Sequence, residues 1–333
     1  MSTHLSTALK LRVGDLVEVK APREILATLD ERGTYQALPF MPEMLAYCGK
    51  RFRVYKRVEK VCDTINKTGM RRMEDAVLLT DVRCDGQAHG GCDARCMLIW
   101  KEAWLKRVGS SSGREQVLVM IDRMSTGSTL NTTAVEDTVR DLVCTNAQQP
   151  ASADGAVRYV CQSTELKKAT LPLKVWDLRQ YWRDVRGGNV GWRQAVEGLL
   201  IMLFNRVQSL RGGAGYPVCE QGRLKTTPKG NLDLKSGELV KVKTKDEIVQ
   251  TLDVGNRNRG LFFDVEMLKH CGRDYRVKGR VYRLVNEKTG ELVNLSNDCI
   301  ILENVMCQGE CHQFCSRSEY IYWREVWLAR SGS

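Results

Sequence analysis

Residues of the types that bind metals recur at one fixed spacing in two distant parts of the chain. They are Cys48, Cys84, His89 and Cys92 in the first part, and Cys271, Cys307, His312 and Cys315 in the second. Both sets follow the pattern C-x35-C-x4-H-x2-C. Three thiolates and one imidazole complete the tetrahedral shell that structural zinc prefers. The pattern therefore predicts two closed zinc sites with a structural role.

Two further cysteines leave the metal and its fourth ligand open. Cys96 and Cys311 each occur in one set only, and each can replace the histidine as a ligand. A four-cysteine shell would suit an iron–sulfur cluster, so iron is the alternative to zinc. Buried free thiols are the remaining interpretation, since cysteine is among the most buried residue types. The repetition of histidine together with cysteine favours a metal.

The two sets belong to an internal repeat. Residues 14–108 align with 237–331 at a constant offset of 223 without a net gap, and 33 of the 95 positions are identical. Within each copy, apolar and polar residues alternate over short segments, as in half-buried strands. Thr244 and Glu247 form a T-x-x-E capping box, and Pro22 suits the first turn of a helix. Five short strands in about 95 residues indicate a small closed β-barrel.

The start of each copy resembles a known barrel type. GDLVEVK at 14–20 and the segment Gly49–Val54 are similar to the G-D-x-V-x-V and G-K-x-x-x-V strands of Src-homology-3-like barrels of the KOW and nitrile hydratase β-subunit type. The whole chain also resembles an uncharacterised bacterial family with a duplicated Cys/His–Trp signature, carried here by Trp100, Trp104, Trp323 and Trp327. The first resemblance implies a fold and no particular activity.

The expected fold class is α+β and mostly β, with two tandem-duplicated small barrels flanking a helical middle domain. The predicted boundaries are 1–108 for the first metal-stabilised barrel, 109–236 for the middle domain and linker, and 237–333 for the second barrel. Within the middle, helices are expected at about 134–143, 173–186 and 190–210, and a short strand is expected at about 159–162.

Two further groups of residues are weaker candidates for function. Arg53, Arg57, Arg276 and Arg280 lie on matched basic strands and could contact an anion, although a solvated face balanced by nearby acids is the plainer interpretation. An active site, if one exists, would use Cys161, Asp177, Arg179 and Tyr181 in the central segment. For that segment, a helix that packs between the barrels is the plainer interpretation.

Charge and composition favour a binding protein. The net charge is +11, which favours anionic partners such as nucleic acid or phosphorylated ligands. No secretory signal and no apolar run of membrane-spanning length is found, so we expect a cytoplasmic protein with no membrane partner. The predicted function is a metal-binding scaffold or binding protein. The alternatives are a zinc or iron metalloenzyme of a bacterial biosynthetic pathway and a protein-interaction subunit.

Overall fold

The computed structural model describes residues 8–109, 129–149, 155–213, 215–217 and 220–331, with the backbone alone for 129–133. It is 26% helical and 30% strand, and it includes a sheet curled into a half-barrel. The predicted mixture of helix and strand is therefore confirmed. Part of the predicted middle domain, at 110–128, lies outside the described residues.

The chain groups into two compact units. The first comprises Met1–Gly91, Met97–Asn189 and Val285–Leu292, and the second comprises Cys92–Cys96, Val190–Leu284 and Val293–Ser333. This grouping is coarser than the three predicted segments, which stay a prediction. It assigns the described part of the middle region up to Asn189 to the first unit and the rest to the second.

A five-stranded antiparallel sheet forms the core of the first unit. The strands of this unit are β1 (Leu16–Val19), β2 (Thr34–Tyr35), β3 (Leu38–Pro39), β4 (Arg51–Arg57), β5 (Lys60–Cys62), β6 (Met70–Arg72), β7 (Ala76–Arg83), β8 (Met97–Lys101), β9 (Leu105–Arg107), β10 (Gln148–Gln149), β11 (Arg158–Tyr159) and β12 (Leu171–Pro172). The main sheet has the order β8-β7-β4-β1-β9, and β12-β6-β5 form a separate small sheet.

The sheet of the second unit has the same plan. The strands of the second repeat are β13 (Leu239–Val242), β14 (Arg257–Asn258), β15 (Leu261–Phe262), β16 (Asp274–Val285), β17 (Leu292–Met306), β18 (Tyr320–Trp323) and β19 (Leu328–Arg330). Their order is β18-β17-β16-β13-β19. Here β16 and β17 are long and continuous, whereas the first repeat divides the same stretch among β4 to β7.

The sequence repeat extends to the pairing of strands. Leu16 pairs with Arg53, and Leu239 pairs with Arg276 at the position 223 residues later. Strands β1 and β13 also pair with the last strand of their own sheet in the same register. Val17 and Val19 alternate with partly exposed residues and are fully buried, which explains the alternation seen in the sequence.

Buried tryptophans organise both cores. Trp104 is fully buried and its Nε1 donates to Thr28 Oγ1 at 3.1 Å. Trp327 is buried likewise and donates to Thr251 Oγ1 at 2.8 Å. Because an indole N–H inside a core needs an acceptor, the matched threonine fixes each ring in one orientation.

The helices are short, apart from two. They are α1 (Pro22–Leu26), α2 (Thr129–Asn146), α3 (Gln162–Glu165), α4 (Arg179–Gly187), α5 (Trp192–Arg211) and α6 (Lys245–Val249). Pro22 occupies the first turn of α1, and Thr244 with Glu247 caps α6, as predicted. The predicted helix at 173–186 begins later, at Arg179, and the predicted strand near Tyr159 has two residues.

Candidate metal centre

Two tight turns present the chemically active side chains of the first repeat. A 3-10 helix at Pro42–Tyr47 carries Glu43, and a second one at Gln87–His89 carries His89. Gly86 and Gly90 flank the second turn with φ of 75° and 63°. A Cβ at Gly90 would lie 2.4 Å from Tyr159 Oη, so a larger residue there would require the Tyr159 side chain to move.

These turns bring Glu43, Cys84 and His89 together. One ligand atom from each residue lies within 4.8 Å of those of the other two. Cys84 Sγ is 3.7 Å from His89 Nδ1. His89 is only 1% exposed, and its Nε2 and both carboxylate oxygens of Glu43 are buried without a hydrogen-bond partner among the described residues. Buried polar atoms are normally satisfied, so three such atoms in one cluster make this group the candidate metal site of the first repeat.

The electrostatics of the cluster suit a metal ligand set. Burial lowers the pKa of His89, which favours the neutral imidazole that coordinates metals. Burial also raises the pKa of Tyr47 beside the cluster, and Asp85, Glu43 and the Cys84 thiol raise it further. The cluster is therefore rich in negative or potentially negative groups. A carboxylate, a thiolate and an imidazole are all zinc ligands.

The structure brings together two of the ligands predicted for the first repeat, and not the others. Cys48 lies outside the group of Glu43, Cys84 and His89. Burial raises the pKa of the Cys48 thiol to about 11, and the negative charge of Glu136 contributes to the shift. Cys92 and Cys96 group with the second unit. There, burial raises the pKa of Tyr322, and the two thiols raise it further.

Sequence reasoning missed Glu43. The signal was present, because the repeat keeps this glutamate as Glu266 in the matched segments EMLAYC and EMLKHC. A lone glutamate before a helical turn looks like a surface residue, however, and cysteines dominate any search for zinc ligands. The burial of its carboxylate became visible only in three dimensions.

The matched loop of the second repeat is held by internal contacts instead. Glu266 accepts hydrogen bonds from the backbone N–H groups of Cys311 at 2.9 Å and Gln308 at 3.2 Å, and its carboxylate lies 3.4 Å from Lys269 Nζ. His312 Nε2 lies 3.0 Å from Asp264 Oδ1. Among the described residues, the ligand-type atoms of this loop form no group as close as that of the first repeat.

The thiols of the second repeat lie in an acidic environment. Burial raises the pKa of the Cys307 thiol to about 12, and the charge of Glu266 is the next largest cause of the shift. Cys315 raises this pKa further. The same two causes raise the pKa of Cys311 to about 11. Cys271 Sγ lies 3.8 Å from the carbonyl oxygen of Met267. Burial and nearby carboxylates thus favour neutral thiols at Cys307 and Cys311.

The four candidate arginines divide into two pairs. Arg57 is mostly buried, and it pairs with Glu59 and Glu102 at 2.7 Å each. Arg280 is mostly buried and pairs with Asp298 and Glu325. Two exposed arginines remain at matched strand positions, and each donates to a backbone carbonyl oxygen: Arg53 to Gly14 and Arg276 to Gly237, both at 3.0 Å. The exposed pair is thus the one placed to meet an anion.

The central candidates do not share one environment. Asp177 and Arg179 form an ion pair in which the guanidinium is exposed, at 2.8 Å. Tyr181 is buried, and Lys60 Nζ lies 4.3 Å from the centre of its ring. Cys161 precedes α3 as its N-cap residue. The geometry gives Asp177, Arg179 and Tyr181 contacts typical of packing and surface ion pairs.

Comparison with known proteins adds no relative. No protein-family model, no curated protein and no solved structure matches this chain. No helix among the described residues is both long and apolar enough to cross a bilayer.

Proposed function

We propose that this protein is a metal-binding scaffold, built from two tandem copies of a small barrel, in which a zinc ion fastens a loop to the barrel wall. Each curled sheet forms most of one barrel, and the Cys/His loop closes it. The metal has a structural role, as expected for small domains whose cores contribute little stability by themselves.

One observation carries the proposal. In the part of the chain that the structure describes, the buried carboxylate of Glu43 and the buried Nε2 of His89 have no hydrogen-bond partner, and Cys84 completes a group whose ligand atoms lie within 4.8 Å of each other. An uncompensated buried carboxylate is strongly unfavourable, whereas coordination of a divalent cation would neutralise it. The fourth ligand stays a prediction, and Cys48 is the candidate of the sequence pattern that lies in the same unit.

The ligand types favour zinc over an iron–sulfur cluster. One thiolate, one imidazole and one carboxylate are borderline ligands that suit Zn²⁺. Clusters are held almost entirely by thiolates. The alternative metalloenzyme would hold zinc or iron and use residues of the central segment, so finding iron would favour the redox form of that alternative.

Elemental analysis with an absorption spectrum of anaerobically purified protein tests this proposal. We expect a colourless protein that contains zinc, and a Cys84→Ser variant that has lost it. Cys144, an exposed cysteine on α2, provides the matched control Cys144→Ser, which should keep the metal. A visible band from iron would favour the metalloenzyme, and protein free of any metal would refute both.

An anionic partner of the scaffold would meet Arg53 and Arg276. Both are exposed at equivalent positions of the two sheets, and the net charge of +11 would attract such a partner over a distance. We expect single-stranded nucleic acid to bind at low salt and to be lost in the double variant Arg53→Glu, Arg276→Glu. Arg179→Glu, which alters an exposed arginine elsewhere, is the control. No binding by the wild-type protein at low salt would exclude nucleic acid.

A second candidate function, a protein-interaction subunit, is favoured by one face of α5. Apolar residues on this face are exposed, with Leu200 62%, Leu203 61% and Leu210 84% accessible. The exposed stripe consists of Val196, Leu200, Leu203, Val207 and Leu210. Their alternating spacing of four and three is typical of a coiled-coil seam, which indicates a helix as partner.

We take the partner helix to be α5 of a second copy, since two identical seams interdigitate and close a dimer. A parallel pair would juxtapose Arg206 with Arg211, so the antiparallel arrangement is favoured. Light scattering after gel filtration should give a dimer for the wild-type protein and a monomer for Leu203→Asp. Ser209→Asp, on the same helix outside the stripe, should remain dimeric. A monomeric wild-type protein would refute the dimer.

A further inference from the structure

Glu43 and Glu266 occupy the same position in the two repeats, but different groups surround their carboxylates. In the first repeat both oxygens of Glu43 are buried, and no described residue forms a hydrogen bond with them. In the second, the carboxylate of Glu266 accepts from two backbone N–H groups and lies 3.4 Å from Lys269 Nζ. The first carboxylate thus lacks a described partner of positive charge, and the second has one.

The cation of the second repeat is supplied by a residue that the first repeat does not have. Lys269 lies three positions after Glu266, and its Nζ also contacts Glu310 at 2.9 Å. The position equivalent to Lys269 is Ala46. A lysine three residues after a carboxylate on a helical turn is close enough to pair with it, so this single difference between the repeats changes the local charge.

The two matched histidines, His89 and His312, also differ in the contacts that they make. His312 Nε2 contacts the Asp264 carboxylate at 3.0 Å, whereas the residue equivalent to Asp264 is Met41. Methionine cannot accept this bond as a carboxylate does, and His89 Nε2 is buried without a hydrogen bond to any side chain that the structure describes. In the second repeat, protein side chains therefore occupy the interactions that a metal would otherwise provide.

We infer that the two repeats load metal unequally: the first takes a divalent cation such as Zn²⁺ through Glu43, Cys84 and His89, and the second replaces that cation with Lys269. The inference rests on the proposed metal binding and departs from the two equivalent sites that the sequence pattern predicts. The chain has one tight site, and the loop of the second repeat keeps its shape without metal because its carboxylates are already paired.

Calorimetric titration of reduced, metal-free full-length protein with zinc tests the inference. We expect a single tight equivalent per chain. Glu43→Gln should weaken it by at least the roughly 10–100-fold that even an outer-shell substitution costs, and Glu266→Gln should leave it unchanged. Circular dichroism of each variant establishes that it is folded.

A reciprocal exchange of one residue gives a second test that keeps all ligands in place. Ala46→Lys should place a competing ammonium beside Glu43 and weaken zinc binding in the first repeat. Lys269→Ala should leave Glu266 without its cation and create a second binding equivalent. These two variants invert the natural difference between the repeats.

The outcomes separate the inference from the proposed function. Two tight equivalents in the wild-type protein would overturn the inference and leave metal binding intact. Loss of the tight equivalent in Glu266→Gln, with retention in Glu43→Gln, would overturn the inference as well. No zinc binding in the wild-type protein would overturn both.

Discussion

The two repeats of this chain share a scaffold and differ at the loop that the scaffold holds. Strand order and register agree at the offset of 223, and so do the Trp104–Thr28 and Trp327–Thr251 hydrogen bonds. The loops diverge in the partners of Glu43 and Glu266. The comparison indicates that burial and pairing of the sheet tolerate little change, whereas the electrostatics of a loop can change through one or two side chains.

A matched glutamate, Glu102 in the first repeat and Glu325 in the second, makes equivalent hydrogen bonds in both. Glu102 accepts from Arg57 and from the backbone N–H groups of Lys10 and Leu11. Glu325 accepts from Arg280 in the same way, and from two backbone N–H groups of the segment before β13. Each of these two glutamates connects the segment before the first strand of its repeat to the last turn of that repeat. Both repeats keep this set of hydrogen bonds.

The largest expected difference between the repeats lies at Lys60 and its counterpart Arg283. Lys60 is fully buried and pairs with buried Asp184 at 2.8 Å, whereas Arg283 is exposed. Removing one partner of a buried pair leaves an uncompensated charge, so Lys60→Met should lower the free energy of unfolding by about 3–5 kcal/mol. Arg283→Met should lower it by no more than about 1 kcal/mol, because interactions of exposed charged side chains contribute little to stability. Urea denaturation followed by tryptophan fluorescence measures both.

A double variant sharpens this result. Adding Asp184→Leu to Lys60→Met removes the orphaned carboxylate and should recover most of the lost stability, because an apolar pair can replace a buried ion pair. Equal losses of unfolding free energy in Lys60→Met and Arg283→Met would show that the two positions contribute equally to stability. That result would contradict the expectation from the burial of Lys60.

A smaller effect, equal in both repeats, is expected from the threonines that hold the buried tryptophans. Thr28→Val and Thr251→Val remove the acceptor of Trp104 and Trp327 while keeping the shape of the side chain. An unsatisfied indole N–H should cost about 1–2 kcal/mol in each case. Urea denaturation of the two variants measures the costs, and a clear inequality would contradict the equivalence of the two cores.

A difference that depends on pH is expected between Lys101 and its counterpart Arg324. Burial lowers the pKa of Lys101 to about 8, below the value of an unfolded lysine. Between pH 8 and the unfolded value near 10.4, the unfolded state binds more protons, so this group makes stability rise with pH by at most about 1.4 kcal/mol per unit. Below pH 8 this contribution is constant.

The comparison that isolates Lys101 is the stability of wild-type protein minus that of Lys101→Met at pH 8, 9 and 10. Cysteines ionise over the same range, but they affect both proteins and cancel in the difference. The difference should rise with pH, whereas the same subtraction with Arg324→Met should stay flat, since an arginine remains protonated throughout. A flat difference for Lys101 would mean that its ammonium is fully compensated by Gln36 and the carbonyl oxygen of Glu74.

Much of the local structure could be predicted from the sequence. Alternating Val17 and Val19 indicated a half-buried strand, and Thr244 with Glu247 indicated the start of a helix, because both patterns act within a few residues. The mixture of helix and strand was predicted as well. That the two sheets close into duplicated barrels around a helical middle stays a proposal.

The candidate site could be predicted only in part. Cys84 and His89 were found because their spacing recurs, whereas Glu43 was missed and Cys48 lies outside the group. The helix α5 was expected, but the exposure of its apolar stripe could not be read from periodicity, since a buried and an exposed apolar face have the same pattern.

The sequence alone determined the half-buried strand at Val17 and Val19, the capped start of α6 and where the two copies match, because short-range alternation and repetition encode these features. Only the tertiary structure decided which matched residues are chemically equivalent. Glu43 and Glu266 are identical in sequence, yet one is buried without a described partner and the other is paired with Lys269 and two backbone N–H groups. The state of a carboxylate depends on the charges and donors that surround it in space, and those come from distant positions in the chain.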